Sequence, residues 1–447
     1  MSSNKFIFVL SILAACHTFL WSYLIPPAQV MDEEAHFAYI DFLAIQKHIP
    51  LLNLDFNMTK NWRQSFEATG FSRVRLQTFE KPDYIEPIES YAQNDFMPGT
   101  YFSGSPGGPP LYYVMLAPVD WLLLSFKTIT RLYCIRFIGI FFAITSAFLS
   151  WKILVSIDGD SILSRTVASI TALVPTAHFL FGGVTNDSAF IFVCALASLL
   201  LVSFIDRKIT LKESILLGIF CGVGYWIKPY AVSFTMLFFL ALLLKKHEKG
   251  ILGNFISAVS FSVIFLIVVS PWLFFAYKHY GGNTAYEYFF KVANPPSWIH
   301  IFKTYMDIAS LPTLFSQAFG VFGWLDTVLP KWIRAFAALF FIVGWFSFLF
   351  NAVRKRVSAK WIWLAVIPIF HTAAVLLIAA WLMRKTGYRL GLQGRYLLYP
   401  LAGWIAPFVY GLKLLLPFKH IEKILLLGAF LLAIYALGFA VIPRYYL

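Results

Sequence analysis

The sequence predicts an all-α polytopic membrane protein, a GT-C-like bundle of about eleven transmembrane helices with a large first extracytoplasmic loop. Of its 447 residues, 59% are hydrophobic, 19% are aromatic and only 13% are charged, and apolar runs long enough to cross ~30 Å of hydrocarbon recur along it. No hydrophilic linker separates folding units, so residues 1–447 are expected to form one membrane domain. The net charge of +14 suits contacts with membrane lipids, and no nucleic-acid partner is expected.

The first apolar run, at about 6–25, is interpreted as a retained signal anchor. No small-residue cleavage site follows it, and Trp21 and the pair Pro26-Pro27 are typical of an interfacial end, so we expect a cytoplasmic N-terminus. Further spans are predicted at about 133–155, 163–181, 186–205, 212–227, 230–245, 252–277, 332–351, 361–382, 396–414 and 421–441.

Four basic clusters set the predicted orientation, because cytoplasmic loops are enriched in Lys and Arg. Each cluster is separated from the next by two predicted helices, so all four fall on one side. The clusters are Arg207-Lys208-Lys212, Lys245-Lys246-Lys249, Arg354-Lys355-Arg356-Lys360 and Lys413-Lys419-Lys423. This parity places two large loops, 28–108 and 278–331, outside the cytoplasm.

The segment 109–126, PPLYYVMLAPVDWLLLSF, is apolar but short, and it contains Pro118 and Asp120. If it crossed the membrane fully, the first outer loop and the later outward loops would lie on opposite faces. It is therefore expected to be a juxtamembrane or re-entrant helix.

Asp32, Glu33 and Glu34 directly follow the first span, and three carboxylates at the mouth of a membrane helix predict a functional site. A helix that begins near Asp32 would carry His36 on the same face, so the two are candidates for a base and its orienting partner. The alternative is a helix cap beside a solvated histidine. A divalent cation is also possible, but no second close carboxylate pair supports a dedicated site, so metal dependence stays open.

The outward turn from Arg384 to Arg395 also carries Lys385 and Arg389, against the positive-inside pattern. Because the guanidinium fork matches phosphate oxygens, this cluster is a candidate for holding a lipid-linked phosphate or diphosphate. Binding of ordinary anionic lipid, or salt bridges to the acidic loop, would explain it equally well. Arg395, at the start of a predicted helix, is the strongest candidate.

Asn186 and Asp187 lie at the outward start of a predicted helix, and Lys228 lies at an outward helix end. Capping of backbone N–H groups is a sufficient explanation for Asp187, and snorkelling is sufficient for Lys228. The functional alternative is that Asp187 faces the acidic triplet and Lys228 binds phosphate.

Five segments follow one another along the chain: DEEAHFAYIDFLAIQKHIP, GGPPLYYVMLAP, TNDSAF, FGVFGWLDTVLP and LQGRYLLYP. Together they resemble the bacterial multi-pass family called domain of unknown function 2142, which resembles the GT-C membrane glycosyltransferases. The chain departs from the family pattern with Glu34 where Pro is usual, and with Gly107-Gly108 where Gln is common. The leading acidic pair is kept.

The resemblance implies an enzyme of the bacterial cytoplasmic membrane that takes a sugar from a polyprenyl-phosphate donor on the outer face. The acceptor would be a glycan or a lipid-linked molecule. Asp32 and Glu33 match the position of the acidic motif in GT-C enzymes, so we expect Asp32 to act as base, with Glu33 and His36 in support. The candidate substrate-binding residues are Glu34, Asn186, Asp187, Lys228, Asp326, Arg384, Arg389, Gln393 and Arg395.

Other classes stay open. A flippase or transporter for lipid-linked glycans would also be polytopic and basic, but we expect it to have repeated halves or polar residues near the midplane of broken helices. A non-catalytic scaffold would leave the outward Arg cluster unexplained. A polymerase or ligase of lipid-linked glycans is a chemical neighbour that the sequence does not separate from a single-sugar transferase.

Overall fold

The structure is a computed structural model that describes residues 2–51, 57–59, 62, 65, 96–98, 108–205, 209–244, 250–282, 294–305, 311–387, 392–416 and 418–446. Within these ranges the chain is almost entirely helical, which confirms the predicted all-α fold class. The described strands form two short antiparallel pairs, β1 (Asn57–Thr59) with β2 (Phe96–Pro98) and β3 (Val321–Phe322) with β4 (Thr327–Val328). Most of the predicted loop 28–108 and part of the loop 278–331 lie outside the described residues.

The described helices form one series along the chain. A 3-10 turn, Pro229–Ala231, precedes α9, and a π-helical stretch, Ala436–Val441, joins α17 to α18. The helices are α1 (Ser3–Leu24), α2 (Glu33–Gln46), α3 (Leu111–Leu122), α4 (Thr128–Asp158), α5 (Ile162–Thr171), α6 (Pro175–Phe181), α7 (Asn186–Ser203), α8 (Leu211–Ile227), α9 (Val232–Leu244), α10 (Gly250–Tyr280), α11 (Trp298–Tyr305), α12 (Leu311–Gly320), α13 (Lys331–Val353), α14 (Ala359–Thr386), α15 (Gly394–Leu397), α16 (Leu401–Leu415), α17 (Ile421–Tyr435) and α18 (Ile442–Tyr445).

Seven segments of the described chain are long and apolar enough to cross a membrane: α1, α4, α7, α10, α13, α14 and the stretch 421–445. Shorter apolar helices occur at 111–122, 229–244 and 401–415. Large apolar side chains such as Phe8, Phe255 and Phe346 are exposed on the long helices. Exposing these side chains to water would be unfavourable, so this surface is suited to lipid. The protein is therefore a multi-pass membrane protein.

Two predicted spans are broken by proline. The predicted helix 163–181 divides into α5 and α6, because Pro175 lacks an N–H group and the residue before a proline disfavours helical backbone. Val174 is accordingly extended, with ψ of 112°. The predicted helix 396–414 divides into α15 and α16 at Pro400. The segment 109–126 contains only the 12-residue helix α3, which is too short to span the hydrocarbon core.

Glycines allow two close helix approaches near the acidic triplet. A Cβ atom on Gly139 of α4 would lie 1.8 Å from the carbonyl oxygen of Phe181, and one on Gly394 of α15 would lie 2.0 Å from that of Leu314. Neither position has room for a larger residue. The second approach seats α15, and with it Arg395, against α12.

Candidate active site

The three carboxylates of the acidic triplet lie in different surroundings. Asp32 has a left-handed backbone, with φ of 63°, and precedes α2 as its cap residue. Asp is one of the few residue types that adopt this conformation without large strain. The Asp32 side chain is 29% exposed, whereas Glu33 and Glu34 are fully buried. Of the three carboxylates, Asp32 is therefore the one most accessible from outside the protein.

Glu33 forms a buried ion pair with Arg136 of α4. Its two carboxylate oxygens accept from Arg136 Nε at 2.7 Å and Nη2 at 2.5 Å, and from the backbone N–H groups of Val184 and Ala28 at 2.9 Å each. Arg136 also donates to three backbone carbonyls, that of Ser22 in the last turn of α1 and those of Ile25 and Pro26 just after it. Glu33 thus joins α1, α4 and the start of α7, which is a structural role.

His36 joins α2 to two other elements. Its Nδ1 lies 2.8 Å from the Tyr113 hydroxyl on α3, and its Nε2 lies 3.5 Å from the Thr185 hydroxyl that caps α7. Burial lowers the pKa of His36 to about 4, so its ring is neutral near pH 7. Glu34, two residues before His36, is also buried, and its backbone carbonyl accepts a hydrogen bond from the Trp62 indole at 2.8 Å.

Three charged residues from distant parts of the chain meet beside Asp32. Arg395 Nη2 donates to Asp32 Oδ2 at 2.7 Å, and Arg395 Nε lies 3.5 Å from Asp187 Oδ2. Lys228 pairs with Asp187 and also donates to Asn186 Oδ1 at 3.2 Å. We call Asp32, Asp187, Lys228 and Arg395 the charged cluster. It holds two carboxylates and two cations, all predicted from the sequence as site candidates.

Tyrosines surround the cations of the charged cluster. The Lys228 ammonium lies 4.8 Å from the ring centre of Tyr396, 5.1 Å from that of Tyr399 and 5.8 Å from that of Tyr230. The Tyr399 hydroxyl also donates to Asp187 at 2.7 Å. Since ring faces attract cations and exclude water, these tyrosines hold Lys228 in place and strengthen electrostatic interactions there.

The Arg395 guanidinium borders a small cavity, which we call the Arg395 chamber. Within the described residues, no hydrogen-bond acceptor faces Arg395 Nη1, although the side chain is buried. Two other buried polar atoms of the chamber, the Thr176 hydroxyl and Gln393 Oε1, likewise have no partner there. The chamber is lined by Met31, Thr176, Phe179, Gln317, Val321, Leu325, Gln393 and Arg395. Unpartnered buried polar groups are costly, and a chamber of about 10 Å³ has room for about one water molecule to satisfy them.

A family model described as a predicted membrane protein, DUF2142, matches residues 16–404. The chain belongs to the DUF2142 family. The match runs from α1 into α16 and includes the whole charged cluster. No functionally curated protein matches the sequence. A solved structure, ArnT from Cupriavidus metallidurans bound to undecaprenyl phosphate, is similar at 11% identity with a TM-score of 0.39, covering 98% of this chain and 78% of that chain.

Other predicted site residues of this DUF2142 protein lie apart from the charged cluster. Asp326 pairs with Arg444 at 2.9 Å and accepts from the backbone N–H of Trp324 at 3.2 Å, so it fixes the β3–β4 hairpin to α18. Arg384 donates to the carbonyls of Pro295 and Pro296. Arg389 lies outside the described residues. The structure therefore brings one arginine of the predicted basic turn, Arg395, to the acidic triplet.

A second buried network in this DUF2142 protein is not predicted from the sequence. Arg131 of α4 lies between Asp41 of α2 and Asp120 of α3, and the Thr59 hydroxyl donates to Asp41 at 2.6 Å. Arg131 and Arg136 both lie in the apolar run RLYCIRFIGIF. A charge in such a run is unfavourable unless it is paired, so the two arginines could have indicated buried ion pairs. No cluster of three or more metal-ligating side chains occurs in the part of the chain that the structure describes.

Proposed function

We propose that this DUF2142 protein is a membrane glycosyltransferase that moves a sugar from a polyprenyl-phosphate donor to a hydroxyl of a glycan or lipid-linked acceptor. One observation carries the proposal. An accessible carboxylate, Asp32, is bonded to a buried guanidinium, Arg395, whose Nη1 has no hydrogen-bond partner among the described residues. This arrangement places a carboxylate that can act as a base next to a guanidinium that can bind a phosphate.

In the proposed reaction, the acceptor hydroxyl transfers its proton to the Asp32 carboxylate while its oxygen attacks the anomeric carbon of the donor sugar. The bond from that carbon to the phosphate oxygen breaks, and the bonding electrons leave with the polyprenyl phosphate. Arg395 and Lys228 stabilise the negative charge that develops on the leaving phosphate. A direct displacement of this kind inverts the configuration at the anomeric carbon.

The remaining residues of the site are proposed to have supporting roles. Asp187 holds Lys228 and Arg395 in position through two ion pairs. His36 is neutral near pH 7 and is hydrogen-bonded to Tyr113, so it positions α2 and does not serve as a cationic acid. Glu33 is engaged with Arg136, so we assign base catalysis to Asp32 alone. The site is proposed to face the periplasm or exterior from the bacterial cytoplasmic membrane, as the positive-inside pattern predicts.

The test is a reconstituted assay with radiolabelled polyprenyl-phosphate sugars and candidate acceptors. Asp32→Asn and Arg395→Ala should each lower transfer by about 10²-fold or more. Glu213→Gln, which alters a capping box at the start of α8, is the matched carboxylate control and should keep activity. Undiminished transfer by Asp32→Asn would exclude the proposed base. Donor movement across the bilayer without glycosyl product would favour a flippase, and products with repeated sugar blocks would favour a polymerase.

A further inference from the structure

Asp32 lies at the end of a turn with a strained backbone. The turn runs from Ile25, just after α1, to Asp32, just before α2, and we call it the Asp32 turn. Two of its residues, Ala28 and Asp32, have positive φ angles of 60° and 63°. A positive φ disfavours alanine by roughly tenfold relative to glycine, so it persists only where surrounding contacts hold it. The contacts that hold this turn therefore set the position of the Asp32 carboxylate.

Both backbone groups of Ala28 are hydrogen-bonded to side chains. Its N–H group donates to Glu33 Oε2 at 2.9 Å, and its carbonyl accepts from the Trp324 indole at 3.0 Å. The first bond is local, because Glu33 begins α2. The second bond comes from the β3–β4 hairpin, 296 residues further along the chain. Trp324 thus ties the Asp32 turn to a distant element.

The hairpin that carries Trp324 is itself fixed by α18. Asp326 accepts from the backbone N–H of Trp324 at 3.2 Å and pairs with Arg444 of α18 at 2.9 Å. Leu325 has a positive φ of 70°, so three of the five non-glycine residues with positive φ in the described ranges lie in these two turns. Leu325 also lines the chamber beside Arg395. Because backbone strain concentrates at functional sites, this contact is suited to a role in the chemistry.

We infer that Trp324 is a positioning residue for Asp32, and that its indole fixes the Asp32 turn so that the carboxylate stays beside Arg395. Trp324 acts through the backbone of Ala28 and touches no reacting group. The inference rests on the proposed function and deepens it, because it assigns a role to the segment FGVFGWLDTVLP, which the proposed chemistry does not use.

The first test is hydrogen–deuterium exchange on the full-length protein in nanodiscs. Trp324→Phe keeps an aromatic ring but removes the N–H donor, so exchange in peptides that cover residues 26–34 should become about tenfold faster. Trp345→Phe is the matched control, because it removes an indole bond to the Trp404 carbonyl, 3.1 Å long, between α13 and α16. Unchanged exchange at 26–34 in Trp324→Phe, or an equal increase there in Trp345→Phe, would overturn the inference.

The second test is the reconstituted transfer assay, normalised to the amount of folded protein. Trp324→Phe should lower kcat about tenfold and change the donor KM by less than about threefold, because a misplaced base affects the chemical step. Ala28→Gly relieves the strain that the indole offsets, so in that background the loss caused by Trp324→Phe should be at least about threefold smaller. An equal loss in both backgrounds, or a loss confined to KM, would overturn the inference.

A second variant covers the case in which Trp324→Phe folds poorly. Arg444→Met frees the hairpin from α18 and leaves the indole in place, so it should shift exchange and kcat in the same direction; no shift would overturn the inference. The two proposals fail separately. Faster exchange in Trp324→Phe without any transfer by the wild type would retain the contact and reject the transferase, whereas transfer unaffected by Trp324→Phe would retain the transferase and reject the positioning role.

Discussion

Replacing Glu33 with Gln should lower the stability of the folded protein. Replacing its neighbour Asp32 with Asn should instead remove the proposed sugar transfer and leave stability nearly unchanged. Glu33 accepts four hydrogen bonds, two on each carboxylate oxygen. Gln keeps one of these acceptors and turns an NH₂ group toward the two donors at the other. Arg136, which is fully buried, then loses its counter-charge.

The cost of Glu33→Gln follows from this geometry. Breaking a buried ion pair by removing one partner costs ~3–5 kcal/mol, because the remaining charge is uncompensated. At ~2–4 °C per kcal/mol for chains of 150–250 residues, and less for longer ones, the midpoint of thermal unfolding should fall by roughly 3–10 °C. Asp32 is 29% exposed, so its ion pair contributes no more than about 1 kcal/mol, but loss of a general base should reduce transfer by about 10²- to 10⁴-fold.

Both quantities are measured on the same protein preparations, by thermal unfolding in detergent and by the reconstituted transfer assay. Glu213→Gln serves as the control for a partly buried carboxylate and should change stability by about 1 kcal/mol or less. The assignment of roles is refuted if Glu33→Gln is stable and inactive while Asp32→Asn is active.

Three further predictions test the surroundings of the site. First, burial holds the pKa of His36 near 4, below the 6.5 of a free histidine. The contribution of neutral His36 to stability is therefore complete above pH 6.5 and is lost as pH falls toward 4. When the free energy of unfolding is measured at pH 7 and pH 4, wild type should lose about 3 kcal/mol more than His36→Gln. Second, Arg131→Met leaves two buried carboxylates facing each other and should cost ~3–5 kcal/mol in the same measurement, more than Asp120→Asn, which leaves a one-to-one pair; equal effects would contradict the network. Third, Gly394→Ala should clash with Leu314, cost ~1–3 kcal/mol and lower transfer, whereas Gly428→Ala, with open space around it, should do neither.

Much of the fold could be predicted from the sequence because hydropathy marks membrane helices directly. The departures come from backbone rules that compete with hydropathy. Pro175 ends an otherwise continuous apolar run, and the pair Val174-Pro175 carried that signal. Pro400 acts in the same way between α15 and α16.

The meeting of the candidate residues could be predicted only in part. Asp32, Asp187, Lys228 and Arg395 were identified because each is a charge at the end of an apolar run, and all four meet in the structure. The partner of Glu33 was not identified, since Arg136 is 103 residues away in sequence and no local pattern specifies such a pairing. Side-chain direction separates the exposed Asp32 from the buried Glu33, and adjacent positions in a sequence do not reveal it.

The bond between Asp32 and Arg395 has a kinetic consequence. In the proposed reaction, a donor phosphate at Arg395 Nη1 would draw the guanidinium away from Asp32 on Nη2, so donor binding should loosen Asp32 and release it for the acceptor. The substrates would then add in a fixed sequence, donor before acceptor. Until a donor arrived, the proposed base would stay neutralised by its ion pair, which would restrain it from activating water.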